Sequence, residues 1–273
     1  MTKRMLRWLL PLALLSSVAA AGQQPDAFVT AYLAEDTDEF ERLAQVVGDA
    51  ELSKRLGARE RLSQLSAIEV ARRTSDPSAL LSALAEAADG RDRSVCIGAT
   101  RAAVSITMAL NQGVIENKEI DLAVLAAALT HWRRIVEDQG RWADVRVHAL
   151  EISHRLAGLT NRKDALAFLL SQIKSGEPEL RRAALELLPQ PLDVKTRAAA
   201  IGAISDKHDL VSAAAAGAIC QAITAGDAPA PIRDALGQAG TDKLRALHKA
   251  SPTWLEPATK RHIAACVGAG GTD

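Results

Sequence analysis

Two runs of apolar residues set the terms for this chain. Cys96, Ala99, Ala103, Ile106 and Leu110 recur at intervals of three and four, as do Leu122, Leu125, Leu129, Trp132 and Val136. An α-helix returns to one face every ~3.6 residues, so each run is the buried stripe of an amphipathic helix. The punctuation is helical too. Asp76-Pro77 places an N-cap before a first-turn proline, Asn117 and Asn161 offer further caps, and Gly113, Gly140, Gly158 and Gly176 supply stops. On these signals helices are expected at about 27–33, 38–47, 58–73, 79–88, 94–112, 117–139, 144–156, 161–173, 178–188, 193–205, 209–225, 229–239, 241–250 and 257–267. No alternating apolar and polar run is long enough for a strand. Alanine supplies 53 of the 273 residues and aromatics only eight. Pleated sheet faces need more aromatic cover than that, so the expected class is all-α.

Short connections force consecutive helices to lie antiparallel, which makes the chain a series of helical hairpins. Three hairpins share an opening. Asp144-Val145-Arg146, Glu179-Leu180-Arg181 and Asp209-Leu210-Val211 each begin a helix with an acid that suits the macrodipole, followed by an aliphatic and then small residues that allow close approach. Over about 79–225 this pattern resembles HEAT repeats, and the resemblance implies a right-handed α-solenoid of antiparallel helical hairpins. Ser94-Val95-Cys96 has no acid or arginine in register and fits the pattern poorly. The expected organisation is residues 1–21 as a signal peptide, 22–75 as an N-terminal helical cap, 76–267 as the repeats and 268–273 as a tail. Arg146 and Arg181 hold the same position in their segments, so each is expected to bridge acids or helix-end carbonyls between repeats.

The N-terminus carries a different message. Lys3, Arg4 and Arg7 precede an apolar run from Trp8 to Ala21 that ends in Ala19-Ala20-Ala21. A basic start, a short apolar core and a small-residue cleavage site form the plan of a secretory signal peptide. The run is shorter than the roughly 20 residues a spanning helix needs. Cleavage after Ala21 leaves 30 basic and 33 acidic residues, an exported, mildly acidic protein that does not span a membrane. A periplasmic or extracellular location follows.

The search for chemistry returns little. No phosphate-binding loop, dinucleotide fingerprint, nucleophile elbow, zinc-protease or EF-hand pattern occurs. His148 and His154 lie about 120° apart on one helix, too far round to share an ion, and Glu151 with His154 lacks the second such pair that a two-metal site needs. Trp132 lies on an apolar stripe, and Glu137, Asp138, Asp144 and Glu151 offset the basic residues around it, so no nucleic-acid footprint forms. Trp142 could anchor the turn between helices or a partner. Of the three cysteines, Cys96 falls on a buried stripe, and export allows Cys220 and Cys266 in the C-terminal helices to pair. No catalytic residue, metal or cofactor is expected. The leading expectation is a non-enzymatic scaffold that binds a protein or peptide in the cell envelope, and the alternative is an envelope lyase or hydrolase whose site assembles only in three dimensions.

Overall fold

The computed structural model describes residues 26–74, 77–113, 121–226 and 229–268; the signal segment expected at residues 1–21 lies outside them. Every regular element among the described residues is helical. In chain order they are α1 (Ala27–Ala34), α2 (Thr37–Val46), α3 (Asp49–Leu56), α4 (Arg61–Ala71), a 3₁₀ turn (Pro77–Leu80), α5 (Leu81–Ala88), α6 (Arg93–Asn111), α7 (Leu122–Glu137), α8 (Ala143–Thr160), α9 (Arg162–Gln172), α10 (Pro178–Glu186), α11 (Val194–Ala203), α12 (Asp209–Thr224), α13 (Pro229–Ala250) and α14 (Pro257–Gly268). The chain divides into two compact units between Ile135 and Val136, within α7.

In the first unit α4 is the centre, with α1, α2, α3 and α6 packed on it, while α5 packs on both α3 and α6. Phe28, Phe40, Leu43, Leu52, Val70 and Leu80 form its apolar core. Two arginines cover the aromatic rings from outside, Arg55 at 4.1 Å from the Phe28 centroid and Arg73 at 5.2 Å from that of Phe40. Helix α3 is an addition to the sequence reading. It has eight residues, its N-cap is Gly48 with no side-chain bond, and Leu52 and Leu56 are its only buried side chains. One such pair is too short a period to register as a helix.

The second unit alternates. Helices α8, α10, α12 and α14 form one row in which each packs on the next, and α9, α11 and α13 pack against that row from behind. Successive members of the row point the same way. Gly217 of α12 faces Thr259 of α14 so closely that a Cβ would lie 3.1 Å from Thr259 Cγ2. Further along both helices, Cys220 lies against Cys266. Contacts that advance in the same sense on two helices mean parallel axes, as expected when one hairpin repeats. Within α13 the backbone breaks at Gly237, with φ of 62°, whereas the sequence pattern placed the break between 239 and 241.

One position recurs through both units. The residue whose backbone N–H closes the first turn of α4, α6, α8, α10, α12 and α14, onto the carbonyl four residues before it, is Gln64, Cys96, Arg146, Arg181, Ser212 and Lys260 in turn. In every case its side chain donates back to a carbonyl at the end of the preceding helix or in the turn just after it. Gln64 reaches Leu56 O at 2.8 Å, Cys96 reaches Gly90 O at 3.5 Å, and Arg146 reaches Val136 O at 2.8 Å. Arg181 reaches Ser175 O at 2.9 Å, Ser212 reaches Ile204 O at 2.7 Å, and Lys260 reaches Ser251 O at 3.4 Å. A helix ends with carbonyls that have no partner of their own, and this donor satisfies one of them from the next helix. Segment 94–99, which fits poorly by acid and arginine, therefore belongs to the series through Cys96. The segment at 209 shifts by one residue: Leu210 is 48% exposed, and Val211 is the aliphatic that packs inward.

Candidate functional site

The arginines singled out from the sequence sit inside this fabric. Arg146 is 4% exposed and pairs with Glu177, the N-cap of α10. Arg181 forks onto Asp206 through Nε at 2.9 Å and Nη2 at 3.0 Å, in the connection between α11 and α12. Arg181 and a backbone N–H from His208 hold the Asp206 carboxyl below its ordinary range. Neither guanidinium is open to a ligand.

Trp142 is the half-buried N-cap of α8, and its carbonyl accepts from Arg146 N–H at 3.1 Å. Trp132 is fully buried. His148, Glu151 and His154 do not converge: Glu151 is bonded to Arg155 at 2.7 Å, and burial with the nearby Arg155 lowers the pKa of His154. Among the described residues no group of three or more His, Cys, Asp or Glu side chains is placed to hold a metal ion. All three cysteines are buried free thiols. Cys220 and Cys266 meet between α12 and α14, close enough for a thiol–thiol hydrogen bond. That bond pushes the Cys220 pKa up and lowers that of Cys266, which Arg233 lowers further.

The site that sequence reasoning missed is a cavity of about 380 Å³ in the second unit. Its floor is the small-residue face of α12, formed by Ala213, Ala214, Gly217 and Ala218. With no side chain longer than a methyl there, the flanking helices stand above the floor as walls. One wall carries Arg182 and Glu186 from α10 and Gln190 from the link that follows it. The other carries Trp254 and Glu256 from the turn before α14, then Thr259 and His262. Trp254 is 45% exposed, unusual for the largest apolar side chain, and Leu210 at the rim is similarly open.

The polar groups of this cavity are mismatched in one direction. Arg182 Nε lies 3.8 Å from Glu186 Oε1, a loose pair in which both side chains remain well exposed. The cavity walls partly desolvate the Glu186 carboxyl and raise its pKa; Arg182 opposes the shift and Glu256 adds to it. Gln190 donates to Ala218 O at 3.4 Å, but its Oε1 is buried without a hydrogen-bond partner. Two carboxylates thus face one guanidinium. The sequence signal was faint: Trp254 follows Pro252, outside every apolar stripe, and the two glutamates stand 70 residues apart.

No protein-family model matches the sequence, and no curated protein matches it either. Among solved structures the chain is similar to a designed armadillo repeat protein, with 16% identity, 80% of this chain and 98% of that chain covered, and a TM-score of 0.49. Among the described residues no helix is long and apolar enough to cross a membrane.

Proposed function

We propose that this protein is an exported, helical-repeat binding module that holds a segment of a partner polypeptide in the cavity over α12. The observation that carries the reading is Trp254: a large aromatic side chain left 45% exposed at the edge of a concave site that also offers paired carboxylates. Binding sites concentrate such aromatic anchors beside a few convergent polar groups. The stacked row α10–α12–α14 supplies a rigid frame for them. Export rests on the basic start, apolar run and Ala19-Ala20-Ala21 of the N-terminus.

A selection of random displayed peptides against the protein tests the reading. Enriched peptides are expected to lose binding to Trp254→Ala and to Ala214→Phe, the second of which fills the floor without removing a contact of the core. Selection that yields no enriched peptide, or peptides indifferent to both changes, refutes it. A second reading, an envelope hydrolase or lyase, rests on Glu186, Glu256 and His262 lining one cavity. It demands turnover of an envelope-derived substrate that Glu186→Gln abolishes.

A further inference from the structure

The cavity over α12 has more to say about its occupant than that it is a peptide. Its lining carries more negative than positive charge. Glu186 and Glu256 bring two carboxylates to opposite walls, and a single loosely held guanidinium, Arg182, stands against them. A carboxylate without a cation of its own is complemented by an incoming cationic N–H. Beside them the Trp254 ring supplies an aromatic surface open to solvent. A planar cation stacks on such a face and donates in its own plane, which no neutral or anionic group does as well.

We infer that the cavity recognises a basic side chain of the partner polypeptide, foremost arginine, with the guanidinium stacked on Trp254 and its N–H groups donating to Glu186 and Glu256. The inference rests on the reading of this cavity as a peptide site and adds the chemistry of the anchor. Arginine fits better than lysine because its five donors lie in one plane and can serve acceptors on both walls at once. The charge balance has the right sign: an added cation compensates the second carboxylate, which Arg182 alone leaves unmatched. Arg182 itself competes with the ligand for Glu186.

That competition provides a test whose sign separates cation from anion recognition. The probes are an arginine-containing peptide from the random-display selection and the same peptide with citrulline, its neutral isostere, at the anchor. The enriched peptides are expected to carry arginine or lysine at one common position. Citrulline should weaken binding at least ten-fold, and the Glu186→Gln, Glu256→Gln double variant should weaken the arginine peptide by a similar factor. Arg182→Gln should tighten it. Enriched peptides without a common basic residue, equal binding of the citrulline peptide, or loss of binding in Arg182→Gln would each overturn the inference while leaving a peptide site in place. An empty selection removes the peptide site itself, and the two failures are thereby told apart. Circular dichroism of each variant confirms that a lost signal is not lost fold.

Discussion

Replacing Arg181 by alanine isolates the contribution of the recurring helix-end donor at its most heavily bonded position. The side chain is 10% exposed and its partner Asp206 15%. It makes two bonds to the carboxylate at 2.9 and 3.0 Å and two to Ser175 O and Gly176 O at 2.9 and 3.2 Å. Truncation leaves Asp206 with one backbone donor, His208 N–H at 2.8 Å, and leaves two carbonyls in the turn after α9 without this donor. Removing one member of a largely buried pair costs ~3–5 kcal/mol. Water can follow the missing side chain to the partly open Asp206, so the lower end applies, ~3 kcal/mol. In a chain of this size each kcal/mol shifts the melting temperature by ~2–3 °C, giving a fall of roughly 6–9 °C in the transition that includes α10 and α12. Asp206→Ala should cost less, because Arg181 retains its two carbonyls.

Calorimetry of the two single variants and the double variant gives the coupling directly, expected at ~1–3 kcal/mol. The acid limb supplies an independent check. Asp206 is held below its ordinary range in the folded chain, so its stabilising contribution is complete above the unfolded carboxylate pKa of ~3.9 and is lost as pH falls through the lowered value. Between pH 5 and 7 the difference between wild type and Arg181→Ala should be constant, and below about pH 4 it should shrink toward the part carried by the Ser175 and Gly176 carbonyl bonds. A melting temperature within ~2 °C of wild type, or additive single variants, would refute the claim that this arginine joins one repeat to the next.

Other outcomes follow from the same contacts. Cys220 and Cys266 are expected to be joined in protein recovered from an oxidising compartment, and mass spectrometry of non-reduced peptides should find that link with Cys96 free; a link to Cys96 would contradict the packing of α12 on α14. N-terminal sequencing of the extracytoplasmic protein should begin at Gly22, whereas intact Met1 in the membrane fraction would make the first segment an anchor. Binding of a basic peptide should strengthen as pH rises through the raised Glu186 pKa, with Arg182, Glu256 and His262 as the other ionisable groups around it; affinity that falls over that interval would oppose the assignment of Glu186 as an acceptor. Gly217→Leu should cost at least ~2 kcal/mol, since even a Cβ would meet Thr259 at 3.1 Å, and a neutral effect on the melting temperature would mean that α14 can move away.

The helices were legible because their signals are local. Asp36, Asp92, Asn161 and Asp193 each accept a backbone N–H at a helix start, and Cys96, Ala99, Ala103, Ile106 and Leu110 are all buried along α6. What escaped was short or masked by its neighbours. Helix α3 lacked a full apolar period, and α8 runs through Gly158 to Thr160 because the Asn161 side chain, rather than the glycine, marks the change of direction by capping the next helix. Glycine in an exposed helix costs only ~1 kcal/mol, too little by itself to end a helix.

The recurring donor shows why the repeats look degenerate while the architecture is regular. Packing requires at that position only a side chain that can reach a carbonyl near the preceding helix end. Gln64, Cys96, Arg146, Arg181, Ser212 and Lys260 meet the requirement with different lengths and charges. A search for conserved residue type therefore finds two arginines and misses four equivalents, whereas a search for donors four residues past the N-cap finds all six. The cavity over α12 has the opposite character. Part of its lining lies off the repeat, because Trp254 comes from the turn that follows the broken helix α13, and Gln190 from the link between α10 and α11. Where the chain departs from its own period, the restraint of packing on the next hairpin is relaxed, and polar and aromatic groups can face an open space. In a repeat protein those departures, rather than the repeated positions, are where binding chemistry should be sought.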